Sequence, residues 1–260
     1  MLVSNDDGYS SRGLLALRDT LMTWADVVVV APETEQSATS HSLSLHRPLR
    51  ARKIEAGVFA IDGTPADCVY VALHADTKFL PRWPDLVCSG INRGLNLGQD
   101  AFYSGTVAAA REGALRGIPA IASSAHPLAD RARIAELTSK LARSLYDATC
   151  EPSGKRAVRG GALLARKTPL LNLNVPQEWN GEVRHSRLGA RLYEEIIDIR
   201  KDPRGREYIW LGGPGVRHES DPGSDTDAYD AGAASITPLL LDLTRPDDGG
   251  LTDRVVASLG

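Results

Sequence analysis

The chain has 260 residues, is 42% hydrophobic, and carries a net charge of −3 from 30 basic and 33 acidic residues. This is enough to bury one α/β domain with an appendage, and it excludes a bulk-charge attraction to nucleic acid or membrane. Cys68, Cys88 and Cys150 form no C-x-x-C pair, no apolar run nears the ~20 residues of a membrane span, and the N-terminal segment lacks a signal-peptide pattern, so a reducing cytoplasm is expected.

Residues 2–4 (LVS) read as a short strand that ends in Asn5-Asp6-Asp7-Gly8. Leu14, Leu15, Leu17, Leu21 and Met22 have helical spacing. Residues 27–31 (VVVVA) are β-branched without alternation, which predicts a strand buried on both faces and stopped by Pro32. Strand-like pieces near Arg50 and Val58 suggest a small antiparallel excursion. Residues 86–89 predict another buried strand, 105–115 a helix, 119–123 a strand, 131–148 a helix and 170–175 a strand. This alternation predicts a three-layer α/β fold, with a mainly parallel Rossmann-like sheet and helices on both faces. Residues 183–211 break the rhythm. They read as a long β-hairpin with arms near 188–199 and 207–211, turning at Asp202-Pro203-Arg204-Gly205. A lone hairpin exposes its edges, so it is expected to be an arm for oligomerisation. The chain is therefore divided into a catalytic core, 1–180, and an arm and exchange segment, 181–260.

Four stretches hold chemistry. Asp6 and Asp7 follow the first strand, at the carboxyl end where α/β sheets bind ligands, and hard divalent cations favour such oxygens. Taken alone, the pair could equally cap the first helix. Ser37 lies in the loop after the second strand, with His41, the one histidine with access to the site, read as a loop or helix-start residue. In SGINRGLNLG, 89–98, glycines allow close turns while Asn92 and Asn96 offer amide groups to a metal or a phosphate. YSGTV, 103–107, opens a helix, where free N–H groups and the hydroxyls of Ser104 and Thr106 suit an anion. Metal plus phosphate accounts for the four together. There is no G-x-G-x-x-G fingerprint, Walker loop or G-x-S-x-G elbow, which counts against a dinucleotide oxidoreductase, a P-loop enzyme and a serine hydrolase.

With these runs in view, the chain resembles the SurE (survival protein E) family. SNDDG (4–8), EQSATSHSLSL (35–45), SGINRGLNLG (89–98), YSGTVAAAREG (103–113), LLNLNVP (170–176) and SDTDAYDAGAASITPLLLDL (224–243) occur in family order. The resemblance implies a metal-dependent phosphomonoesterase acting on nucleoside 5′- and 3′-monophosphates, with a possible exopolyphosphatase side activity. It implies one divalent ion per subunit, Mg²⁺ or Mn²⁺ foremost, held by Asp6, Asp7, Ser37 and Asn92, the two aspartates being catalytic. It places phosphate contacts at Asn5, Asn96, Ser104, Gly105 and Thr106. It also implies a homodimer or homotetramer that exchanges the arm. The chain departs from many relatives at Gln36 and Ala38 around Ser37 and at Tyr9-Ser10-Ser11, and 151–166 matches less well and is expected to be a variable loop.

Overall fold

The computed structural model describes residues 1–149, 167–194, 197–212, 215–244 and 249–259. Cys150 and the loop expected at 151–166 lie outside them. Strands β1 (Leu2–Ser4), β2 (Val28–Pro32), β4 (Val58–Ile61), β5 (Val87–Arg93), β6 (Ala120–Ala125) and β7 (Leu170–Val175) form the parallel centre of a sheet. β3 (Ala51–Glu55) adds antiparallel to β4 at one edge, and β13 (Ala234–Pro238) adds antiparallel to β7 at the other, followed by β8 (Val183–His185). The strand order is β3-β4-β2-β1-β5-β6-β7-β13-β8. β8 and β13, which belong to the segment read as an arm, thus join the main sheet.

The buried strands alternate between two cores, as a pleat requires. Val3, Val29 and Cys88 face one hydrophobic cluster, with Leu14, Leu17 and Leu21 of α1 (Arg12–Leu21) and Ile134 and Leu145 of α5 (Arg131–Thr149). Leu2, Val30 and Val87 face the other, with Val69 and Leu73 of α2 (Pro65–His74) and Val107 and Ala110 of α4 (Gly105–Leu115). Helices cover both faces, as the sequence predicted. At Gly113, a Cβ would lie 2.5 Å from Val87 Cγ2, so the missing side chain lets α4 sit close on β5.

Three expectations change. Pro32 is the last residue of β2, paired with Ile61, and does not stop the strand from outside. β5 runs on to Arg93, past a register shift between Ser89 and Asn92, so half of the glycine-rich stretch is strand. The hairpin is built in two ladders. β9 (Arg191–Tyr193) pairs with β12 (Val216–His218) at its base, and β10 (Ile197–Lys201) pairs with β11 (Glu207–Leu211) beyond, closed by the turn at 202–205. Short helices α3 (Asp100–Tyr103), α6 (Asp225–Asp230) and α7 (Leu251–Ala257) complete the described elements. Among the described residues, no helix is long and apolar enough to cross a membrane.

Leu17 is fully buried between α1 and the sheet. Leu17→Ala should lower the free energy of unfolding by about 2–5 kcal/mol, read from the urea midpoint, by lost transfer energy plus a cavity.

Candidate active site

The chain leaves β1 at Ser4, builds β2 and β4 on one side, then crosses back to β5 on the other. Such a reversal opens a crevice at the carboxyl ends of the two strands. Ser4 pairs with Ser89 there, and the next residues of each strand diverge. An open cleft of about 1270 Å³ lies above, lined by Asp6, Asp7, Ser37, Asn92, Asn96 and Ser104 among others. Four separate stretches of sequence therefore meet in one place.

The Asp6-Asp7 turn is a hub for three of them. The Asp6 carbonyl accepts from Gln36 N–H at 2.8 Å and so ties down the loop after β2. Asp7 Oδ2 accepts from Arg93 N–H at 3.1 Å, at the end of β5. Asp6 Oδ1 accepts from the Thr106 hydroxyl, in the first turn of α4. α4 can come this close because residue 105 is glycine. A Cβ there would sit 2.8 Å from Asp6 Cβ and 3.0 Å from Pro65 Cγ.

Asp6 is only 5% exposed, and burial raises its pKa from 3.8 to about 6. The Thr106 hydroxyl opposes that rise, and the charge of Asp7 adds to it. Burial also raises Asp7, against the Arg93 amide that favours its charge. The Ser37 hydroxyl donates to Glu35 Oε1 at 2.7 Å, which leaves its oxygen lone pairs to accept or to ligate. Asn92 Nδ2 donates to Gly94 O at 3.0 Å, which likewise leaves Oδ1 unspent by that bond.

Asn96 is buried and held on every side. Its N–H donates to Asn174 Oδ1 at 2.7 Å, its carbonyl accepts from Asn172 Nδ2 at 2.8 Å, and its Nδ2 donates to Ser124 Oγ at 2.7 Å. The two asparagines of LLNLNV thus fix the glycine-rich loop. They could have been flagged in the sequence, because two amides inside a buried strand need partners. Ser104 caps α4, its Oγ accepting from Val107 N–H at 3.0 Å.

Asn5 and Thr106 do not present their side chains to the cleft. Asn5 is fully buried, and its Nδ2 donates to Gly8 O at 3.0 Å and Ser11 Oγ at 2.8 Å, so it braces the acidic turn from behind. The Thr106 side chain is spent on Asp6. The base of the hairpin does line the cleft, through Arg191, Leu192 and Tyr193. Arg191 Nη1 donates to Asp100 Oδ2 at 2.6 Å, and the Tyr193 hydroxyl donates to the same oxygen. No local sequence signal marks those partners, because they lie about ninety residues apart in the chain. His41 turns to α4, where Nε2 lies 2.8 Å from Glu112 Oε2.

Comparison with known proteins follows the same lines. A family model described as survival protein SurE matches residues 1–195. A protein of Sorangium cellulosum (strain So ce56) named 5′-nucleotidase SurE is 58% identical over 259 residues, covering 100% of this chain and 96% of its own length. One of the same name from Myxococcus xanthus (strain DK1622) is 45% identical, covering 97% of this chain and 91% of its own. The crystal structure of the SurE protein from Aquifex aeolicus superposes with a TM-score of 0.76 at 34% identity, covering 99% of this chain and 98% of its own.

The raised pKa of Asp6 makes a pH prediction. The fold favours the protonated carboxyl, so its stabilisation is complete below about 3.8 and is lost as pH rises through about 6. The full span is about 3 kcal/mol, of which about 1 kcal/mol falls between about pH 5 and about pH 7.5. In buffer with chelator, the wild-type chain should therefore gain stability on going to the lower pH. Asp6→Asn, which cannot titrate there, should show a smaller gain in urea melts at the two pH values, since Asp7 is raised as well.

Proposed function

The chain belongs to the SurE family, and we propose that it is a nucleotidase hydrolysing nucleoside 5′-monophosphates to nucleoside and phosphate with the help of a divalent cation. The observation that carries this reading is the contact of buried Asp6 with the N-terminus of α4. A helix start attracts anions, yet a carboxylate already faces it and a second acid stands beside it. A cation held by the two acids would offset their repulsion of a phosphate dianion.

The residues fit a hard divalent ion. Asp6 and Asp7 supply two charges, and Ser37 and Asn92 supply neutral oxygens. Among the described residues no group of three or more His, Cys, Asp or Glu stands where it could hold a metal ion, so a cation here relies on two carboxylates completed by neutral oxygens. Behind the turn, outside the cleft lining, Ser4 Oγ, Asn5 Oδ1 and Ser89 Oγ are buried without a hydrogen-bond partner. Mg²⁺ and Mn²⁺ are the ions we favour. Such an ion supplies Lewis acidity and neutralises charge on the phosphoryl oxygens.

The remaining steps belong to the chain. Asp7 is set by the Arg93 amide and Asp6 by Thr106, so both carboxylates are fixed before substrate arrives. Ser104 spends its oxygen on Val107 N–H and keeps its hydroxyl proton for a phosphoryl oxygen, next to the first N–H groups of α4. Asn96 joins from the opposite wall, held by Asn172, Asn174 and Ser124. Water attacks phosphorus in line with the leaving 5′ oxygen; a carboxylate oxygen of Asp6 or Asp7 takes its proton, and the departing 5′ oxygen takes one from solvent water as the P–O bond breaks. Every contact named here grips the phosphoryl group. The proposal therefore extends to 3′-monophosphates and short polyphosphates.

The assembly is part of the proposal. On β10–β11, Ile197 faces Leu211 and Ile199 faces Ile209, so one face of the ribbon is apolar and exposed. A second copy of the chain is the partner we assign to it, as a dimer or tetramer. Cys68 and Cys88 are buried thiols, with burial pushing Cys68 well up and Cys88 to about 12, and they suit the cytoplasm we assign to the protein.

Phosphate release from AMP should vanish in chelator and return with Mg²⁺ or Mn²⁺. Asp6→Asn and Gly105→Ala should each lose at least ~10²-fold in kcat while keeping the wild-type circular dichroism, the first by losing a charge and the second by forcing α4 away. Undiminished turnover in Asp6→Asn would reject the site. A phosphorylated aspartate caught by rapid quench would replace water with a carboxylate as nucleophile. For the arm, Ile199→Asp with Ile209→Asp should convert the oligomer to monomer in light scattering, and an unchanged mass would remove the ribbon from the interface.

A further inference from the structure

His41 lies four residues beyond Ser37, outside the cleft lining. Its ring meets Glu112, a carboxylate that is only 2% exposed on α4, at 2.8 Å. A carboxylate only accepts, so His41 Nε2 is the donor. The other oxygen, Oε1, is held by Arg116 through Nε at 3.0 Å and Nη2 at 2.9 Å. Glu112 is thus a buried anchor with two clients, one on its own helix and one on the loop after β2.

The same loop is fastened at its neighbouring residue. Ser40 N–H donates to Tyr103 O at 3.0 Å, and Ser40 Oγ donates to Phe102 O at 2.7 Å. Those carbonyls lie immediately before Ser104. The stretch between Ser37 and His41 is also held in a backbone form that side chains disfavour, with φ of 56° at Ala38 and 53° at Ser40. Non-glycine residues stay left-handed only where surrounding contacts impose it, and such residues gather at sites where placement matters.

We propose that His41 is a positioning residue: its bond to Glu112, with the Ser40 bonds to α3, clamps the Ser37 loop to the helix that opens with Ser104. Ser37, on the side of the proposed cation, and the α4 N-terminus, on the side of the phosphate, are then held as one rigid pair. His41 does not touch substrate in this arrangement. The inference rests on the reading of Ser37 as a neutral oxygen of the proposed cation site.

The test uses the full chain and two independent readouts. Hydrogen exchange by mass spectrometry follows the peptide covering 36–42, and AMP turnover with saturating Mg²⁺ gives kcat and KM. His41→Ala should speed exchange in that peptide alone, leave α4 and the sheet protected, and lower kcat/KM by ~10-fold to ~10²-fold, the scale of a misplaced group. His41→Gln keeps an N–H donor and should restore both. Ser40→Ala, which removes one bond of the clamp, should shift both readouts in the same direction by less, and it stands in if His41→Ala fails to fold. Unchanged exchange in His41→Ala overturns the clamp. Faster exchange with unchanged kcat/KM overturns the positioning role. Lost activity with unchanged exchange, or no rescue by His41→Gln, assigns His41 another role and also overturns the proposal. If the wild-type chain releases no phosphate from AMP, the nucleotidase reading fails separately, and exchange alone decides whether the clamp exists.

Discussion

The structure depends on one close approach, that of the Asp6 carboxylate to the first turn of α4. A glycine at 105 allows it and the Thr106 hydroxyl closes it; burial raises the pKa of Asp6, and the Thr106 bond holds part of that rise back. Around this contact the other parts take their places. The Asp6 carbonyl fixes the loop that bears Ser37, and the Asp7 side chain fixes the end of β5 that bears Asn92. Two adjacent acids that would repel in isolation are each given hydrogen-bond donors, and the unfavourable charge that remains is what makes the place suited to a cation.

Much of this was legible in the sequence because the signals were local. Residues 170–175 and 105–115 were read with the bounds that β7 and α4 show, and 2–4 with those of β1. Runs such as VVVVA carry their own evidence of burial on both faces, and the two hydrophobic clusters bear it out. The extension of β5 to Arg93 was hidden, since glycine and asparagine read as turn residues while the register shift that accommodates them is a tertiary feature. α2 was overlooked although its signal was present. Thr64-Pro65-Ala66-Asp67 is a capping box with proline in the first turn, and both reciprocal bonds form, with Thr64 N–H to Asp67 Oδ2 at 2.9 Å.

The site was legible as a set of stretches but not as a set of roles. That Asn96 would be gripped by Asn172 and Asn174, or that Thr106 would serve Asp6, follows from which loops the sheet order brings together. The same holds for the hairpin. Its turn chemistry at 202–205 was plain, whereas its base became part of the cleft wall only through Asp100, which receives both Arg191 and Tyr193. An element read as an arm for assembly thus also touches the site, and its base is bonded to Asp100 of α3, the segment that leads directly into Ser104.

The cleft carries both signs of charge. Its exposed lining includes Arg12, Arg93 and Arg131 beside Glu35, while its buried end holds Asp6. Exposed arginines attract an anion over about a Debye length and contribute mainly to encounter. At the bottom the sign reverses, and the cleft alone would repel the phosphate that its entrance attracts. In the proposed reading a divalent ion resolves that reversal, and α4 adds neutral donors whose geometry is fixed in advance. The arrangement separates capture from chemistry. In that reading the surface arginines would gather phosphorylated molecules of many kinds, and turnover would be confined to those whose phosphoryl group reaches the paired acids.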